Sequence, residues 1–300
     1  LAELSDFHNE TLKDLIEDLD TGDFDFELLG FIESEIADLM SQFHVPEEGL
    51  TEDDAIPENA PARCEPGHKW QLGKHRLRCA DSTIDENVSH LLKGEAADLV
   101  YTDPPYGVDY EGGSKKRSKL EGDEVGTSIY TAIVPLLAKY CDGAIYTWFA
   151  GTKPLSIYQA IEKVGDIHAL IVWVKNNSTF NMNIHYKQRH EPCLYWKAKG
   201  KSLKWAGDST QETIWNFDRE VANKLHPTQK PVDLAVKAIG NHKAENVFDP
   251  FLGSGATLIA AEKMGIACYG MEIEPKYCDV ILQRWEDFTG KKAKKVSAFK

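Results

Sequence analysis

From about residue 76 onward, short apolar runs alternate with stretches whose apolar residues recur at helical spacing. Short runs rich in apolar and β-branched residues predict strands, and the longer amphipathic stretches predict helices. Their alternation predicts an α/β fold with a doubly wound, mostly parallel sheet. The predicted strands are 76–80, 97–102, 143–149, 168–174, 192–197, 246–249 and 267–272, and the predicted helices are 85–93, 127–139, 153–163, 231–240, 255–264 and 275–288.

The strand predicted over 97–102 runs directly into Asp103-Pro104-Pro105-Tyr106. Because proline fixes φ and has no N–H, this stretch is stiff and its carbonyl groups can point outward as acceptors. The Asp103 carboxylate and the Pro104 carbonyl could then accept the two hydrogens of an exocyclic amino group while Tyr106 stacks on the ring. Flipped nucleic-acid bases are held in this way. The alternative is an ordinary strand followed by a proline-rich turn.

A second motif follows the strand predicted over 246–249. The chain there continues as Asp249-Pro250-Phe251-Leu252-Gly253-Ser254-Gly255 and enters a predicted helix. The glycines permit a tight turn and close approach of a ligand to the backbone. Glu272 ends the next predicted strand, 23 residues beyond Asp249, which is the spacing of an acid that binds ribose hydroxyls in nucleoside-binding α/β units. A Walker phosphate loop is excluded, because no Gly-Lys-Ser/Thr occurs.

The two motifs together resemble the DNA amino-methyltransferases that use S-adenosylmethionine (SAM). The catalytic motif precedes the cofactor motif here, as in the circularly permuted β group of that family. Three further segments match the family in order: Leu77–Ser82, Arg189–Trp196 and His226–Leu234. In the first of them Ala80 replaces the usual glycine. The resemblance covers about residues 66–290 and implies a Rossmann-like methyltransferase fold.

The resemblance also implies roles for individual residues. Asp81 would bind the adenine amino group of the cofactor and Glu272 its ribose, while Lys230 would contact its carboxylate end. Asp81 as a turn or N-cap residue, and Lys230 as a surface charge, are the alternatives. The implied base-binding residues are Asp103, Pro104, Pro105 and Tyr106. The implied cofactor-binding residues are Asp81, Asp249, Phe251, Gly253, Ser254, Gly255, Glu272, Thr228 and Lys230.

The expected reaction is transfer of a methyl group from SAM to adenine N6 in DNA, which leaves S-adenosylhomocysteine. Cytosine N4 is the nearest alternative target, and Asp rather than Ser at position 103 favours adenine. Methylation of cytosine carbon-5 needs a nucleophilic cysteine, but Cys193 lies in an apolar stretch and is expected in the core. A protein-glutamine methyltransferase would have Asn-Pro-Pro-Tyr and the cofactor motif first.

A non-catalytic ParB-like DNA-binding module is the alternative from another class. His190 and His226 are expected to be structural or DNA-facing.

Charge is distributed unevenly along the chain. Residues 1–62 hold 19 acidic residues against Lys13, a net charge of −18, whereas the remainder carries +4 and the whole chain −14. We therefore expect an acidic helical appendage at 1–45, which resembles the end of a ParB-like domain, and a flexible linker at 46–65. The catalytic domain is expected at 66–290, with a short target-recognition segment at about 198–224. A disordered basic tail is expected at 291–300.

The mildly basic catalytic part suits a double-stranded DNA partner. The candidate DNA-binding residues follow the catalytic motif or lie in the target-recognition segment: Lys115, Lys116, Arg117, Lys119, Lys201, Lys204 and Trp205. No Cys-x-x-Cys pair occurs, so we expect no metal site and no disulfide framework. We expect no membrane association, a cytoplasmic bacterial or phage-encoded enzyme of the restriction–modification type, and compatibility with a homodimer.

Overall fold

The computed structural model describes residues 48–57, 59–105, 128–176, 185–218 and 230–299. The chain divides into two units between Val45 and Pro46, and the described residues all belong to the second. The helical appendage predicted at 1–45 therefore lies outside the described residues.

The second unit is built on one sheet in the order β10-β1-β2-β9-β8-β3-β4-β6-β5-β7. The central strands β2, β9, β8, β3 and β4 run parallel. β6 pairs antiparallel with both β4 and β5. The strands are β1 (Lys69–Leu72), β2 (His75–Cys79), β3 (Ala97–Thr102), β4 (Cys141–Trp148), β5 (Gly165–Val174), β6 (His190–Ala198), β7 (Ile214–Asn216), β8 (Asn246–Asp249), β9 (Ala267–Glu272) and β10 (Lys294–Val296).

Helices cover both faces of this sheet. One face packs against α1 (Asp85–Leu92), α2 (Ser128–Tyr140) and α3 (Leu155–Val164). The other packs against α4 (Val232–Gly240), α5 (Ala256–Lys263) and α6 (Pro275–Thr289). The central strands are buried on both faces, which explains their continuous apolar runs; in β3, for example, Leu99 and Val100 have no exposed surface.

The order of the strands reverses between β3 and β8. From β3 the chain proceeds through α2 to β4 on one side, and from β8 it proceeds through α5 to β9 on the other. In open α/β sheets, ligands bind at the carboxyl ends of the strands at such a switch point. Asp103 follows β3 and Asp249 ends β8, so both motifs meet there.

The predicted α/β fold is confirmed, and the six predicted helices and seven predicted strands all occur within three residues of their predicted bounds. Sequence reasoning missed three short strands, β1, β7 and β10. The expectation of a disordered basic tail was wrong over Lys294–Val296, because these residues pair antiparallel with β1. Strands of three or four residues are too short to show a clear period.

The expected flexibility of the linker was also wrong for its described residues. Leu50 N donates to Phe288 O at 2.8 Å, and Asp54 Oδ1 accepts from Val232 N, at the first residue of α4, at 3.0 Å. Asp54, one of the acids that suggested disorder, thus accepts from a backbone N–H at the N-terminus of a helix, where such groups lack intrahelical partners.

All six cysteines are free and buried, as expected for Cys193, which has no exposed surface. Burial raises the pKa of the Cys193 thiol well above its ordinary value, so it is no nucleophile. Within the described part of the chain, no helix is both long and apolar enough to cross a membrane.

Candidate active site

Asp249 links the two motifs from inside the protein. Its carboxylate accepts from Thr102 Oγ1 at 3.0 Å, from Phe251 N at 3.0 Å and from Thr257 Oγ1 at 2.6 Å. The side chain is almost fully buried, and burial raises the pKa of Asp249 to about 7. Because these contacts join the end of β3, the loop after β8 and the first turn of α5, Asp249 sets the geometry of the loop.

The Gly-rich turn needs its two glycines for different reasons. Gly253 has a φ of +56° and Gly255 a φ of +90°, a region that side chains with a Cβ rarely adopt. A Cβ on Gly255 would also lie 3.3 Å from Ile281 Cγ1. Arg284, a buried residue of α6, donates to Ser254 O at 2.9 Å and to Asp53 O at 2.7 Å. The turn is therefore held by α6 and by the segment that precedes the sheet.

Glu272 lies beside this turn at the end of β9, and Asp81 follows the neighbouring strand β2. Glu272 accepts from Gly253 N at 3.0 Å and from Glu274 N at 2.9 Å, and burial raises its pKa. Asp81 follows β2, whose last residue Cys79 pairs with Glu272. Asp81 Oδ1 accepts from Thr83 N at 2.9 Å and from Thr83 Oγ1 at 2.7 Å, so this residue also forms a turn before α1.

A chain of four alternating charges reaches the predicted catalytic acid. Lys230 Nζ pairs with Asp103 Oδ2 and lies 2.9 Å from Glu191 Oε2, and Lys175 pairs with Glu191 Oε1. The Lys230 ammonium also lies 5.1 Å from the centre of the Trp148 ring. Burial alone would raise the pKa of Glu191, but the two lysines lower it to about 2. Likewise, burial would lower the pKa of Lys230, and Asp103 and Glu191 raise it above its ordinary value.

Sequence reasoning placed Lys230 at the carboxylate end of a cofactor and missed Glu191 and Lys175. Each of the latter two occupies the end of a strand at the catalytic edge, with Lys175 directly after β5 and Glu191 second in β6. Their position at a strand end could have identified them from the sequence. The carboxyl ends of parallel strands and the amino end of an antiparallel neighbour lie on the same side of a sheet.

Asp103, Lys230 and the Gly-rich turn border a cavity of about 230 Å³. Its lining includes Tyr101, Asp103, Lys230, Asp249, Phe251, Gly253, Ser254 and Tyr277. A larger cavity of about 660 Å³ lies against α3 and is mostly apolar. We assign the site to the smaller cavity, because both motifs line it.

Some predicted site residues lie outside the described residues. They are Tyr106, Thr228, Lys115, Lys116, Arg117 and Lys119. Pro104 is buried and Pro105 is exposed, directly after Asp103. Across the described ranges, no group of histidine, cysteine and acidic side chains has the arrangement of a metal site.

Three predicted DNA contacts lie at the other edge of the sheet. Lys204 pairs with Asp98 at 2.5 Å and Lys201 with Asp142 at 2.5 Å, and both acids are at the amino ends of their strands. Trp205 packs edge-on against His242, with ring centres 5.4 Å apart. At about 3.3 Å per residue, β3 separates Asp98 from Asp103 by roughly 16 Å. Lys201, Lys204 and Trp205 therefore lie away from the catalytic motif, and their contact with DNA stays a prediction.

Comparison with known families gives two matches. A DNA methylase family matches residues 97–283, and a ParB-methyltransferase HTH domain matches residues 10–66. The first match contains both motifs and covers more than half of the chain. The second confirms the ParB-type resemblance of the N-terminal part.

Curated relatives and solved structures agree with this family. The type II methyltransferase M2.MboI of Moraxella bovis is 26% identical over 234 residues, which cover 67% of this chain and 85% of the relative. M2.DpnII of Streptococcus pneumoniae is 25% identical and covers 65% of this chain and 84% of its own. The structure of M1.HpyAVI with SAM has a TM-score of 0.53 at 25% identity, over 69% of this chain and 98% of that one. The cytosine-N4-specific PvuII DNA methyltransferase shares the fold, with a TM-score of 0.53 at 17% identity. The match covers 69% of this chain and 84% of the PvuII chain.

Proposed function

Because this chain belongs to the DNA methylase family, we propose that it transfers a methyl group from SAM to the N6 amino group of adenine in double-stranded DNA. The observation that supports this most directly is the position of Asp103. Its carboxylate borders the same cavity as the Gly253–Gly255 turn, at the switch point of the sheet. An acceptor for an amino group and a turn suited to a nucleoside cofactor thus lie side by side.

The residues that line the cavity, together with those at the ends of the adjacent strands β2 and β9, fit SAM. Glu272 would bind the ribose hydroxyls and Asp81 the adenine amino group, while the Gly-rich turn leaves room for the methionine part. Asp249 would act indirectly, since its oxygens already bind Thr102, Phe251 and Thr257. SAM supplies a methyl group that its positive sulfur has already activated, and S-adenosylhomocysteine is the product. M1.HpyAVI, a structural relative, was solved with SAM bound.

Methyl transfer requires the protein to align the N6 amino group, which is a weak nucleophile. With the Asp103 carboxylate and the Pro104 carbonyl as acceptors for the two amino hydrogens, the N6 lone pair is directed at the methyl group, and Tyr106 would stack on the base. Alignment of two reactants removes much of the barrier. The carboxylate also stabilises the positive charge that develops on nitrogen and can receive the proton or pass it to water.

The buried charge chain supports this role of Asp103. Lys230 contacts one carboxylate oxygen, and Glu191 holds Lys230 from the other side. Glu191 and Lys175 are thus positioning residues. Because they are tied to strand ends, they fix the direction of the carboxylate before a base arrives.

We propose adenine rather than cytosine because position 103 is Asp, the residue typical of adenine-specific members in the resemblance described above. The ParB-type HTH match adds a second DNA-associated segment. We place the activity in the cytoplasm of a bacterium, because DNA and SAM are both present there. The biological context that we propose is a restriction–modification or phage system. A homodimer is compatible with this assignment.

Nucleoside analysis tests the proposal. The full chain and its Asp103→Asn variant are expressed in a bacterial host without DNA methylation of its own, and the digested DNA is separated by chromatography with mass detection. We expect N6-methyladenine with the wild-type chain and none with the variant. N4-methylcytosine alone would reassign the target base, and the absence of any methylated base would reject the function.

A further inference from the structure

Asp53 and Asp54 lie outside the part of the chain that matches the DNA methylase family, yet each contacts an element of the active site. The methylase match begins at residue 97, and the ParB-type HTH match, which ends at residue 66, includes both aspartates. Their contacts reach two elements that carry site residues, the Gly-rich turn and the start of α4.

The contact of Asp53 holds the cofactor turn. Arg284, whose side chain is 2% exposed, donates to Asp53 O at 2.7 Å and to Ser254 O at 2.9 Å. A guanidinium is planar and its N–H groups have fixed directions, so one buried side chain fixes the two carbonyl groups relative to each other. Ser254 lies between Gly253 and Gly255, and the turn is therefore tied to the segment that contains Asp53.

The contact of Asp54 holds the residues next to the catalytic charge chain. Asp54 Oδ1 accepts from Val232 N at 3.0 Å. Lys230, which pairs with Asp103, lies two residues before Val232, and Pro231 between them has a φ fixed by its ring. Because this link is stiff, a displacement of Val232 is passed on to Lys230.

The two contacts are joined to each other, whereas the far end of the segment is held separately. Arg284 Nη2 lies 3.9 Å from Asp54 Oδ1. Further along the segment, Arg63 Nη1 lies 2.9 Å from Glu286 Oε1, and Glu286 also binds Lys292. The pair of Arg63 and Glu286 thus secures the same segment without a contact to the turn or to α4, which makes it a control for the other two.

We infer that Asp54 is a positioning residue of the active site, which acts through Val232 on Lys230. Asp53 and Arg284 form a second arm, which holds the cofactor turn. The inference rests on the proposed function, because Lys230 contacts the acid that would bind the target amine. A segment from the HTH-matched part of the chain thus helps to set the geometry of the catalytic site.

The arm that reaches Lys230 is tested in the full chain with Asp54→Ala, Asp54→Asn and Glu286→Ala. Asp54→Ala removes the acceptor for Val232 N, and we expect kcat to fall by about tenfold while SAM affinity stays within about twofold of wild type. Asparagine keeps an oxygen that can accept from Val232 N, so Asp54→Asn should restore most of kcat. Glu286→Ala should lower the melting temperature and leave kcat unchanged. Thermal melting confirms that each variant is folded at the assay temperature.

A double variant separates positioning from a general loss of stability. Asp54 and Glu191 would both act on Lys230, so Asp54→Ala combined with Glu191→Gln should lose less kcat than the product of the two single losses. Glu286→Ala combined with Glu191→Gln should lose only what Glu191→Gln loses alone.

The arm that reaches the cofactor turn is tested by Arg284→Lys against Arg63→Lys. A lysine at position 284 lacks the planar fork and cannot bind both carbonyl groups in the same way, so SAM affinity measured by calorimetry should fall by about fivefold. The same change at Arg63, at the far end of the segment, should leave SAM affinity at the wild-type value.

The outcomes separate the two proposals. If the wild-type chain methylates DNA but Asp54→Ala keeps the wild-type kcat, or if Asp54→Ala and Glu286→Ala lose kcat equally, the role of Asp54 is overturned while the proposed function stands. Equal SAM affinity in Arg284→Lys and wild type overturns the second arm. If the wild-type chain binds SAM but methylates no base, the proposed function and the role of Asp54 are both rejected, and the calorimetry still decides the second arm.

Discussion

Lysine–carboxylate pairs lie at both ends of the parallel strands, at the carboxyl ends (the catalytic edge) and at the amino ends (the amino edge), but they differ in burial. At the catalytic edge the side chains of Lys230 and Lys175 are 7% and 10% exposed, and both bind Glu191. At the amino edge Lys204 and Lys201 are 33% and 42% exposed, and each binds a separate acid. Removing one partner of a buried pair leaves a charge without compensation, whereas an exposed pair contributes only about 0–1 kcal/mol. The same residue types therefore fix geometry at one edge and mainly add polar surface at the other.

The largest difference between the edges should appear when the acids at the two ends of β3 are exchanged for their amides. Asp103→Asn removes the negative charge that stabilises the developing positive charge on the target amine, and we expect transfer to fall by at least about 100-fold with SAM affinity within twofold of wild type. Asp98→Asn weakens hydrogen bonds from Lys204 and Glu245 N, so it should lower the melting temperature but not the transfer rate. Single-turnover rates and calorimetry with SAM measure both. Equal loss of transfer in the two variants would contradict the assigned roles.

Next in size is the effect of Glu272 on the cofactor. Glu272→Ala should weaken SAM binding by about 1–3 kcal/mol, which is roughly 5- to 150-fold. The control is Glu274→Ala, two residues further, where an exposed side chain is removed and the backbone N–H that binds Glu272 is kept. Calorimetry should detect the loss in the first variant only. A similar loss in both would show that the strand end, and not the Glu272 carboxylate, binds SAM.

The charge chain offers a smaller and more specific test. Glu191→Gln keeps the shape of the side chain but leaves Lys230 and Lys175 without their shared acid. Because the Asp103 carboxylate would be less well aligned with the target amine, we expect kcat to fall by about tenfold. KM for SAM should change little. Asp142→Asn, which removes the partner of Lys201 at the amino edge, should leave kcat unchanged. If kcat and thermal stability fell in proportion in both variants, Glu191 would have only a structural role.

The smallest effect concerns the pH dependence of stability. Asp249 has a pKa of about 7 in the folded protein, well above that of an unfolded chain. Between about pH 4 and pH 7 the unfolded chain ionises at this residue while the folded protein does not, so the stability that Asp249 contributes is lost as pH rises through this range. Asp249→Asn removes this titration. The melting temperature of the wild type should therefore fall by a few degrees relative to the variant from pH 4 to pH 7, and parallel curves would place the titration elsewhere.

The two motifs could be predicted from the sequence because each is local. Asp103-Pro104-Pro105 and the Gly253–Gly255 turn follow strands whose apolar runs are unambiguous, and their backbone requirements depend on the residues themselves. Glu272 follows from its spacing after that turn. The position of one group of predicted DNA-binding residues could not be predicted, for the opposite reason. Lys201, Lys204 and Trp205 have a basic and aromatic composition that suits DNA, but composition does not say at which edge of a sheet a segment emerges.

The sequence by itself determined the α/β class, the bounds of the main helices and strands and the two motifs, because hydrophobic period and the chemistry of glycine and proline act over a few residues. Only the tertiary structure decided which charges meet. Glu191 lies 39 residues from Lys230 and 88 from Asp103 along the chain, yet the three are joined at one strand edge. Asp249 was expected at the cofactor; it lines the cavity, and the fold also bonds its carboxylate to Thr102, Phe251 and Thr257. Ion pairs and burial depend on the order of strands in the sheet, and that order is a property of the whole chain.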